Sequence, residues 1–541
     1  MASEHERNRD AARGLAKAAM YMASADGDAA NALIDEALAR FQDSLVLGAN
    51  CKIALRQFDV GRLEAAAELA RKRSEEYPEL AILLRQLDAG PLCAIGLARQ
   101  LADRRPLQLE SLTGRIAYVL HSSLPHSGNG YAMRSQGMAR ALLDKGVDLV
   151  CLTKPGFPFD LNRHQHALDK LAAEDAVDGV VYHRIGTPRQ RHFQRLPSDI
   201  TAHAPIQYLE RAVDALVREF TRARPACVIA ASNFVTALPA ALAARRLGLP
   251  FVYEVRGFWE ITRESRDPGY LQTPAGRQEV FLESAIARAA DAVMTLTEPM
   301  RDMLVERGVE PERITLVPNA CPAEDFHPLP RNEALLARLQ LDTQKPVIGY
   351  LGSFTAYEGL DDLAEACGRL KAEGLEFRLV LVGSETADEQ GAFPVTDRIR
   401  EIARQSGMED WLIMPGRVPH DEVAQWYSLI DIAPFPRKSL PVTELVSPLK
   451  PLEALAMEKA VVVSSVGGMR EMVRHGKTGL VFAKGNADEL DNSLRRLLKD
   501  ADLRKSLGIA GRDWVRQKRN WSDAADAVMQ VIGQLTVGTK R

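Results

Sequence analysis

The stretch Thr443-Glu-Leu-Val-Ser-Pro-Leu-Lys-Pro-Leu-Glu-Ala-Leu-Ala-Met457 is followed by the apolar run Ala460–Val463 and by Val466-Gly-Gly468. This order predicts a loop that carries Lys450, a helix that Glu453 opens, a short strand and a glycine turn. A carboxylate can accept hydrogen bonds from both hydroxyls of a ribose diol. A lysine beside a helix N-terminus suits a diphosphate. Together these groups meet the two chemical requirements of a nucleotide-sugar site.

The length and composition are those of a multidomain globular protein. The chain has 541 residues, of which 46% are hydrophobic and 26% are charged. A chain of this length should form more than one core, and we expect two large domains and a smaller one. The formal net charge of -3 gives no reason to expect a nucleic-acid partner.

Several features predict a cytoplasmic protein. We expect no apolar run of the roughly 20 residues that span a bilayer, and the polar N-terminus (residues 1–7) does not look like a secretory signal. The six cysteines are scattered without Cys-x-x-Cys spacing. This pattern indicates reduced thiols and argues against a zinc site.

Residues 1–108 are rich in alanine and have a helical pattern. Two helix-like runs begin at Gly27 and at Gly61, 34 residues apart. That spacing is the length of a tetratricopeptide repeat, a helical pair that often binds a protein partner. An alanine-rich helical bundle packed on the rest of the chain is the alternative.

From Arg115 onward, short β-branched strands alternate with longer amphipathic helices, and after a loop at residues 318–328 the alternation starts again. Such alternation predicts parallel, doubly wound sheets. We therefore expect two Rossmann-like α/β domains, at residues 112–325 and 330–515, and a C-terminal helix at residues 516–541 that crosses back to the first. Ligands bind at the carboxyl ends of such strands, so the cleft between the domains is the expected site. The predicted strands are Ile116–Leu120, Val147–Leu152, Cys227–Ala230, Phe251–Val255, Ala292–Leu296 and Ile314–Val317, then Val347–Leu351, Arg378–Val382, Leu412–Met414, Ile432–Ala433, Val461–Val463 and Leu480–Phe482.

An ordered set of motifs makes the prediction more specific. It comprises Gly128-Asn-Gly-Tyr131, Val317-Pro-Asn-Ala320, Gly349-Tyr-Leu-Gly-Ser-Phe354, Glu358-Gly-Leu360, Pro415-Gly-Arg-Val-Pro419, Glu453-Ala-Leu-Ala-Met457 and Gly467-Gly468. With these motifs, the chain from about residue 115 resembles GT-B glycosyltransferases of the retaining family-four type, the relatives of glycogen synthase. The resemblance implies transfer of a sugar from a nucleotide-sugar donor, most simply a UDP-sugar, to a glycan or lipid-linked acceptor. The transfer that the resemblance implies requires no metal if basic side chains stabilise the departing diphosphate.

The resemblance also implies roles for individual residues. Glu453 would hold the ribose hydroxyls, and the glycines would let the backbone approach the nucleotide or its phosphates closely. The residues expected to bind the donor are Glu453, Leu449, Gly128, Gly130, Ser353, Arg417, Gly467 and Gly468, and those expected to be catalytic are Lys450, Arg437, Arg256 and Glu444. A structural alternative for Glu453 is a helix N-terminal acid that complements the helix dipole. The alternative for the glycine pair at 128 and 130 is a tight turn.

The chain departs from the family pattern in its cations. Many relatives carry an arginine and then a lysine after the first strand of the second domain, where this chain has Ser353 and Glu358. The diphosphate would have to find other cations, and the candidates are Lys450 first, Arg437 second, and then Arg417 and Lys438. The adjacent pair Arg437-Lys438 could equally be a solvated surface pair.

Two further departures concern Glu444 and Arg256. Relatives commonly place seven residues between two glutamates, whereas eight separate Glu444 from Glu453 and Leu445 holds the usual position. A bulge at residues 447–448 would restore Glu444 to the site. Arg256 lies where a histidine often contacts the donor sugar, and its guanidinium could hold a phosphate or an acidic sugar.

The acceptor is less clear from the sequence. The segment at residue 256 and the Ser-Pro-Leu-Lys-Pro-Leu-Glu segment resemble a subset of bacterial surface-polysaccharide transferases, which favours capsule, lipopolysaccharide or exopolysaccharide synthesis. A basic stretch at His183-Arg184 and Pro188–Arg195 could meet an anionic glycan, a lipid diphosphate or the inner membrane surface, or be a solvated loop. A GT-B epimerase, a GT-B phosphorylase and a non-catalytic glycan-binding scaffold remain as alternatives.

Overall fold

The computed structural model describes residues 3–106, 109–158, 172–186, 206–342, 345–387, 390–419 and 422–536. The predicted basic segment Pro188–Arg195 lies outside the described residues. Three parts follow one another along the chain: an N-terminal helical region and two α/β domains, each built on its own sheet.

The N-terminal region is all helical, as the sequence predicts. Aspartates open three of its helices, because the side chains of Asp26, Asp43 and Asp59 accept hydrogen bonds from first-turn amides. The two predicted glycine starts therefore lie at the first turns of the second and fourth helices. Helices pack in sequence-adjacent pairs, and the last of them packs on the first α/β domain. The helices are α1 (Glu4–Met22), α2 (Gly27–Arg40), α3 (Ser44–Gln57), α4 (Val60–Lys72), α5 (Leu80–Ala89) and α6 (Pro91–Gln100).

Residues Leu80–Gln100 form a 21-residue helical stretch that contains an 18-residue segment with mean hydropathy 1.4, and by length and composition alone it could cross a membrane. We expected no apolar run of this length from the sequence. Gly90 has non-helical backbone angles (φ -125°, ψ -101°) and divides the stretch into α5 and α6. Leu84, Leu87 and Ile95 are buried against the helical region, so the apolar residues of this stretch also serve a core.

The first sheet has eight strands in the order β3-β4-β2-β1-β5-β6-β7-β8. All neighbours are parallel except β3 and β4. The short hairpin β3–β4 was not predicted, because each strand has four residues and too few buried positions to show an alternation. Its strands are β1 (Arg115–Leu120), β2 (Asp148–Thr153), β3 (Glu174–Val177), β4 (Val180–His183), β5 (Cys227–Ala231), β6 (Phe251–Val255), β7 (Ala292–Thr295) and β8 (Ile314–Leu316).

The second sheet has six parallel strands in the order β11-β10-β9-β12-β13-β14. Two largely parallel sheets, each flanked by helices, confirm the predicted GT-B architecture. Its strands are β9 (Val347–Leu351), β10 (Arg378–Val382), β11 (Leu412–Gly416), β12 (Ile432–Phe435), β13 (Ala460–Ser464) and β14 (Leu480–Phe482).

Helices connect the strands of both sheets. In the first domain they are Gly130–Asp144, Ile206–Ala223, Phe234–Leu247, Trp259–Glu264, Pro274–Ala289 and Glu298–Glu306. In the second they are Glu333–Arg338, Leu360–Ala372, Pro394–Gln405, Val423–Tyr427, Pro441–Leu445, Lys450–Ala456, Gly467–Arg470, Ala487–Lys499 and Ala501–Lys518, with Trp521–Thr536 at the C-terminal end.

The C-terminal helix Trp521–Thr536 packs on the first domain. Its buried residues Trp521, Ala525 and Val528 share one core with β1 and with the helix Gly130–Asp144. Gly137 lies directly under the indole: a Cβ there would come within 2.3 Å of Trp521 Cε2. The missing side chain is therefore what lets the C-terminal helix dock.

Replacing Gly137 by alanine should lower thermal stability. The added methyl must displace the Trp521 ring, and overpacking of this kind costs roughly 1–3 kcal/mol. Gly533→Ala in the C-terminal helix is a matched control, because a Cβ on Gly533 would have no atom within 4 Å. It should stabilise the helix by about 1 kcal/mol. Thermal unfolding followed by circular dichroism measures both, and equal effects of the two changes would contradict this account of Gly137.

Candidate active site

Lys450 lies at the carboxyl edge of the second sheet. The helix begins at Lys450 itself, so this residue is in the helix and not, as predicted, in the loop before it. Its Nζ donates to Tyr350 Oη over 2.8 Å and lies 3.1 Å from Glu358 Oε1. Gly352 leaves room for the lysine, because a Cβ there would meet Lys450 Cε at 2.1 Å. The side chain is 23% exposed, so it is not sealed from solvent.

Arg437 shares the same carboxylate. Its Nη2 and Nε donate to the two oxygens of Glu358 over 2.8 and 3.1 Å, and its Nη1 donates to Val446 O over 3.2 Å. Both side chains are almost fully buried, so Arg437 is not a solvated surface arginine. Burial alone would raise the pKa of Glu358, but the charges of Arg437 and Lys450 outweigh it and lower that pKa to about 2. Two cations and one carboxylate give this cluster a net charge of about +1 at neutral pH.

Glu453 is one turn further along the helix that Lys450 begins. Burial raises the pKa of Glu453 to about 7, against the opposing charge of Lys450 and a hydrogen bond with Tyr427. The carboxyl group is therefore about half ionised at neutral pH when no ligand is present. A partner that hydrogen-bonds to the carboxylate would favour the ionised form.

Glu453 and Leu449 line a cavity of about 870 Å³ between the two domains. The helix Gly130–Asp144, the linker at residues 320–326 and the segment 513–522 form its other walls. The other predicted site residues, including Lys450, do not line this cavity. Lys450 and Arg437 instead meet at Glu358, at the carboxyl ends of the strands, whereas Glu453 lines the cavity.

The glycine pair Gly467-Gly468 packs against protein backbone. A Cβ on Gly467 would lie 2.3 Å from Glu444 O, and one on Gly468 would lie 2.3 Å from Val446 O. These two positions therefore require glycine because the backbone of segment 443–446 packs directly against them. Their contact with a nucleotide stays a prediction.

Glu444 lies in its own short helix, Pro441–Leu445, which ends before residues 447–448, where the bulge was predicted. Its carboxylate accepts hydrogen bonds from Gly467 N over 2.8 Å and from Ser439 Oγ and Lys484 Nζ over 2.6 Å each. Burial would raise the pKa of Glu444, yet these partners lower it overall. The carboxylate is thus ionised and held by protein groups, and its contact with a sugar stays a prediction.

Gly128 and Gly130 lie in open space at the start of the helix Gly130–Asp144. No atom comes within 4 Å of a Cβ built on either residue, and both are exposed. Asn129 between them caps the helix, since its side chain accepts from Ala132 N over 2.9 Å. This turn therefore has room for a ligand group next to the helix N-terminus.

Ser353 and Arg417 follow β9 and β11, and both are exposed. Arg417 Nε donates to Ser384 Oγ over 2.6 Å, which holds the guanidinium beside the end of β10. Lys438 is engaged elsewhere, with Nζ 2.5 Å from Asp361 and 3.6 Å from Asp362. Of the predicted cations, Lys450 and Arg437 are therefore the pair that one buried carboxylate brings together.

Arg256 belongs to a buried network in the first domain. Its guanidinium donates to Glu254 Oε2 over 2.8 Å, to Tyr131 O and Ser135 Oγ over 2.9 and 2.8 Å, and to Tyr118 Oη. Burial by itself would lower the pKa of Arg256, but Glu254 raises it overall. Arg256 is thus buried in the first domain, where it holds the helix Gly130–Asp144 in position.

The described part of the predicted basic stretch is also tied to protein groups. Arg184 has a side chain 1% exposed and donates to Asp175 Oδ2 and Ser123 Oγ over 2.6 Å each. His183 Nδ1 lies 3.2 Å from Glu174. Arg184 therefore orders the loop after β1 and does not present a charge to solvent.

Sequence reasoning missed the partners that position the cations. It noted Glu358 as a substitution but did not pair it with Lys450 or Arg437, and it did not single out Tyr350. A glutamate in place of an expected cation was the one hint of the pairing, although 79 residues separate Glu358 from Arg437. No group of three or more His, Cys, Asp and Glu that could hold a metal ion occurs in the described part of the chain.

Comparison with known proteins gives the family. Residues 129–320 match the model of the glycosyl transferase 4-like domain, and residues 332–514 match that of glycosyl transferases group 1. The alpha-maltose-1-phosphate synthase of Mycolicibacterium smegmatis is 24% identical over 69% of this chain and 95% of its own length. A D-inositol 3-phosphate glycosyltransferase of Streptomyces bingchenggensis is 27% identical over 56% of this chain and 65% of its own length.

Solved structures show the same fold. Sucrose-phosphate synthase from Thermosynechococcus elongatus superposes with a TM-score of 0.62 at 19% identity, over 79% of this chain and all of that one. Anabaena HepE in complex with UDP has a TM-score of 0.58 at 14% identity, over 78% of this chain and all of its own. The two family matches together cover more than half of the chain, in the order that the two sheets follow. The chain belongs to the group 1 glycosyltransferases of GT-B fold.

Proposed function

We propose that this protein transfers a hexose from a UDP-sugar to a hydroxyl of a glycan or lipid-linked acceptor, with retention of the anomeric configuration and without a metal. The observation that carries the proposal is the cluster of Lys450, Arg437 and Glu358, which has a net positive charge at the carboxyl edge of the second sheet. Ligands of doubly wound sheets bind at this edge.

The cluster suits the chemistry of a departing diphosphate. As the bond between the sugar C1 and the β-phosphate oxygen breaks, negative charge builds on the phosphate and positive charge on the sugar ring. Lys450 is held in place by Tyr350 and Glu358 before any substrate arrives, so little reorganisation is needed when the charge develops. Arg437 stays on Glu358 and keeps the local charge positive.

Glu453 is suited to the ribose of the same nucleotide. It is three residues after Lys450 on one helix, and neighbours at this spacing lie on the same face. An ionised carboxylate can accept hydrogen bonds from both ribose hydroxyls. The open turn at Gly128 and Gly130 in the first domain leaves space for the phosphates or the sugar.

The names of similar proteins support a hexose donor and a role in surface polysaccharides. HepE has been crystallised with UDP-glucose, and WaaG, with a TM-score of 0.53, is involved in lipopolysaccharide biosynthesis. We extend these properties to this chain and place it in the cytoplasm, at or near the inner membrane. Its helical N-terminal region, with tetratricopeptide-like pairs, would bind a protein partner of the same assembly.

A donor screen tests the proposal. Thermal shift with UDP, GDP and ADP should show stabilisation by UDP, and no response to any nucleotide would favour a non-catalytic scaffold. Labelled UDP-glucose and other UDP-sugars then give the products, which separate transfer from epimerisation and from phosphorolysis. Proton NMR of the glycoside product reads the anomeric configuration.

Lys450→Met should lower kcat for sugar transfer by about 10²- to 10³-fold, because it removes a positive group that acts mainly on the charge of the transition state. The KM for the donor should change much less. Steady-state kinetics with the donor found in the screen measures both.

Lys371→Met is the matched control for this change. Lys371 Nζ lies 5.0 Å from the Trp411 ring centroid and donates to Gly407 O, away from the cleft. Its kcat should stay within about twofold of the wild type, as for a surface change. A tenfold rise in donor KM with unchanged kcat for Lys450→Met would instead assign this lysine to ground-state binding alone.

Donor affinity should depend on pH through Glu453. The bound ribose favours the carboxylate, whereas the free group has a pKa of about 7, so protons compete with the donor. Between about pH 8 and pH 6 the ionised fraction of the free enzyme falls about tenfold, and the dissociation constant for a UDP-sugar should rise about as much. Glu453→Gln should bind more weakly and lose most of this pH dependence. Calorimetric titration at several pH values measures it, and an unchanged slope in the variant would assign the titration to another group.

A further inference from the structure

The basic side chains of the N-terminal helical region differ between two sets of helices. Every lysine and arginine of α2, α4 and α6 forms a salt bridge within the region: Arg40 with Glu36, Arg62 with Asp35, Arg71 with Glu68 and Asp88, Lys72 with Glu68, and Arg99 with Glu64. On α1 and α3, by contrast, Lys17, Lys52 and Arg56 are exposed and form no salt bridge with any residue that the structure describes. Their charges are therefore available to a partner.

These three cations lie around α3, which has α1 on one side and the start of α5 on the other. Arg56 Nη1 lies 3.5 Å from Met20 O, so the last turns of α1 and α3 are side by side. On the opposite flank, a Cβ on Gly48 would lie 3.9 Å from Leu80 Cδ2. The first turn of α5 therefore packs against the middle of α3.

α3 presents only a narrow stripe to solvent. Its exposed residues are Leu45, Lys52 and Arg56, and their spacing of seven and then four positions keeps them on one face of the helix. Most of the other residues of α3 are buried, and the helix contains no aspartate or glutamate. The stripe is thus the floor of a groove between α1 and α5, and both of its charges are positive.

One wall of this groove comes from α1. Arg13, Lys17 and Tyr21 follow one another at intervals of four residues and share a face of the helix. Arg13 Nε donates to Asp43 Oδ2, at the start of α3, over 2.5 Å. This bond places the row on the side of α1 that adjoins α3, so Lys17 and Tyr21 border the floor.

The groove also carries exposed apolar side chains. Tyr21 on α1 is 90% exposed, Leu45 lies on the floor, and Ile82 on α5 is 60% exposed. Ile82 is adjacent to Leu83, whose Cδ2 would lie 4.0 Å from a Cβ on Gly48. Within residues 3–106, these three are the large apolar side chains that are exposed, and none of them lies on α2, α4 or α6. Unpaired cations beside apolar side chains favour a ligand that offers both acids and apolar groups.

The cationic end of the groove adjoins the first α/β domain. Arg277, on the helix Pro274–Ala289, donates through Nη1 to Gln57 O at the end of α3 over 2.9 Å. The rings of Phe58 and Phe281 lie 5.5 Å apart beside this contact. The groove is therefore fixed to the first domain, and a partner bound in it would be held next to the enzyme.

We propose that the groove formed by α1, α3 and α5 binds an acidic segment of another protein. Carboxylates of the segment pair with Lys17, Lys52 and Arg56, and its apolar side chains pack on Tyr21 and Ile82. The inference rests on the proposed function in one respect, since it gives the chemistry of the protein partner suggested there for the helical region. A flat anionic membrane fits less well, because Lys52 and Arg56 lie on a floor between two helices.

Fluorescence anisotropy with the full-length protein tests the groove. The probe is a fluorescein-labelled peptide of four Asp-Glu-Leu repeats, and a peptide of four Lys-Lys-Leu repeats is the control probe. The acidic peptide should bind and the basic one should not. Raising sodium chloride from about 50 to about 300 mM should weaken binding several-fold, because salt screens exposed charges.

Reversing two charges on the floor should remove most of the affinity. Lys52→Glu combined with Arg56→Glu should weaken binding of the acidic peptide at least tenfold, because two attractive contacts become repulsive. Arg71→Glu combined with Lys72→Glu is the matched control, since it makes the same change in net charge on α4, where both side chains are exposed and already paired. This control should bind the peptide within about twofold of the wild type.

Tyr21→Ala separates binding from a structural role. Because Tyr21 is 90% exposed, its removal should leave the thermal midpoint unchanged, yet peptide binding should weaken several-fold. Met529→Ala, at an exposed position of the C-terminal helix, should change neither quantity. A lower midpoint with unchanged peptide binding in Tyr21→Ala would overturn the assignment of this wall.

The remaining outcomes are also decisive. The groove is overturned if the wild type binds no acidic peptide, binds both peptides alike, or loses no affinity in the Lys52→Glu, Arg56→Glu variant. Sedimentation with phosphatidylglycerol vesicles, lost in that variant while the acidic peptide never binds, would assign the surface to a membrane instead. Thermal shift with UDP keeps the two proposals apart: peptide binding without a UDP response supports the groove while the donor function fails, and the reverse result overturns the groove alone.

Discussion

The buried carboxylate of Glu358 is the charge on which the donor edge depends. Arg437, with a side chain 8% exposed, could not stay in its place without it, because breaking a buried ion pair from one side costs roughly 3–5 kcal/mol. Arg437 in turn donates to Val446 O, and Ser464 Oγ donates to Arg437 O over 2.7 Å. One acid therefore fixes the ends of β12 and β13 and the loop before Lys450 at the same time.

The first sheet has a similar cluster with a different purpose. Glu254 is buried between Arg134 and Arg256, and these charges outweigh burial to lower the pKa of Glu254 to about 2. Arg134 also donates to Val317 O and Asn319 Oδ1, and Asn319 Nδ2 donates to Ser447 O over 2.8 Å. Both arginines are buried, whereas Lys450 is partly exposed. The cluster around Glu254 therefore orders the linker and the interdomain contact, whereas the cluster around Glu358 can offer charge to a substrate.

The sequence predicted the architecture well because β-branched runs mark the central strands; it missed the hairpin β3–β4, whose short edge strands lack such a run. It singled out Lys450 and Glu453 as candidate site residues because their chemistry is local to one helix. The pairing of Glu358 with Arg437 joins residues 79 apart and depends on β9 and β12 being neighbours, which no local pattern reports. The glycine pair was predicted to approach a nucleotide, but the protein's own segment 443–446 accounts for the missing side chains.

The shifted spacing of Glu444 has a consequence for how charge is distributed in the site. Eight residues separate Glu444 from Glu453, which leaves room for two separate helices. Glu444 lies on the first of these helices and is bound to Gly467 N and Lys484. Its negative charge is thereby satisfied by protein groups and by Lys484 in particular. Glu444 therefore does not neutralise the positive charge of the cluster of Lys450, Arg437 and Glu358. A chain that has exchanged the usual arginine and lysine for Ser353 and Glu358 keeps a cationic edge only because Glu358 and Glu444 are each paired with cations of their own.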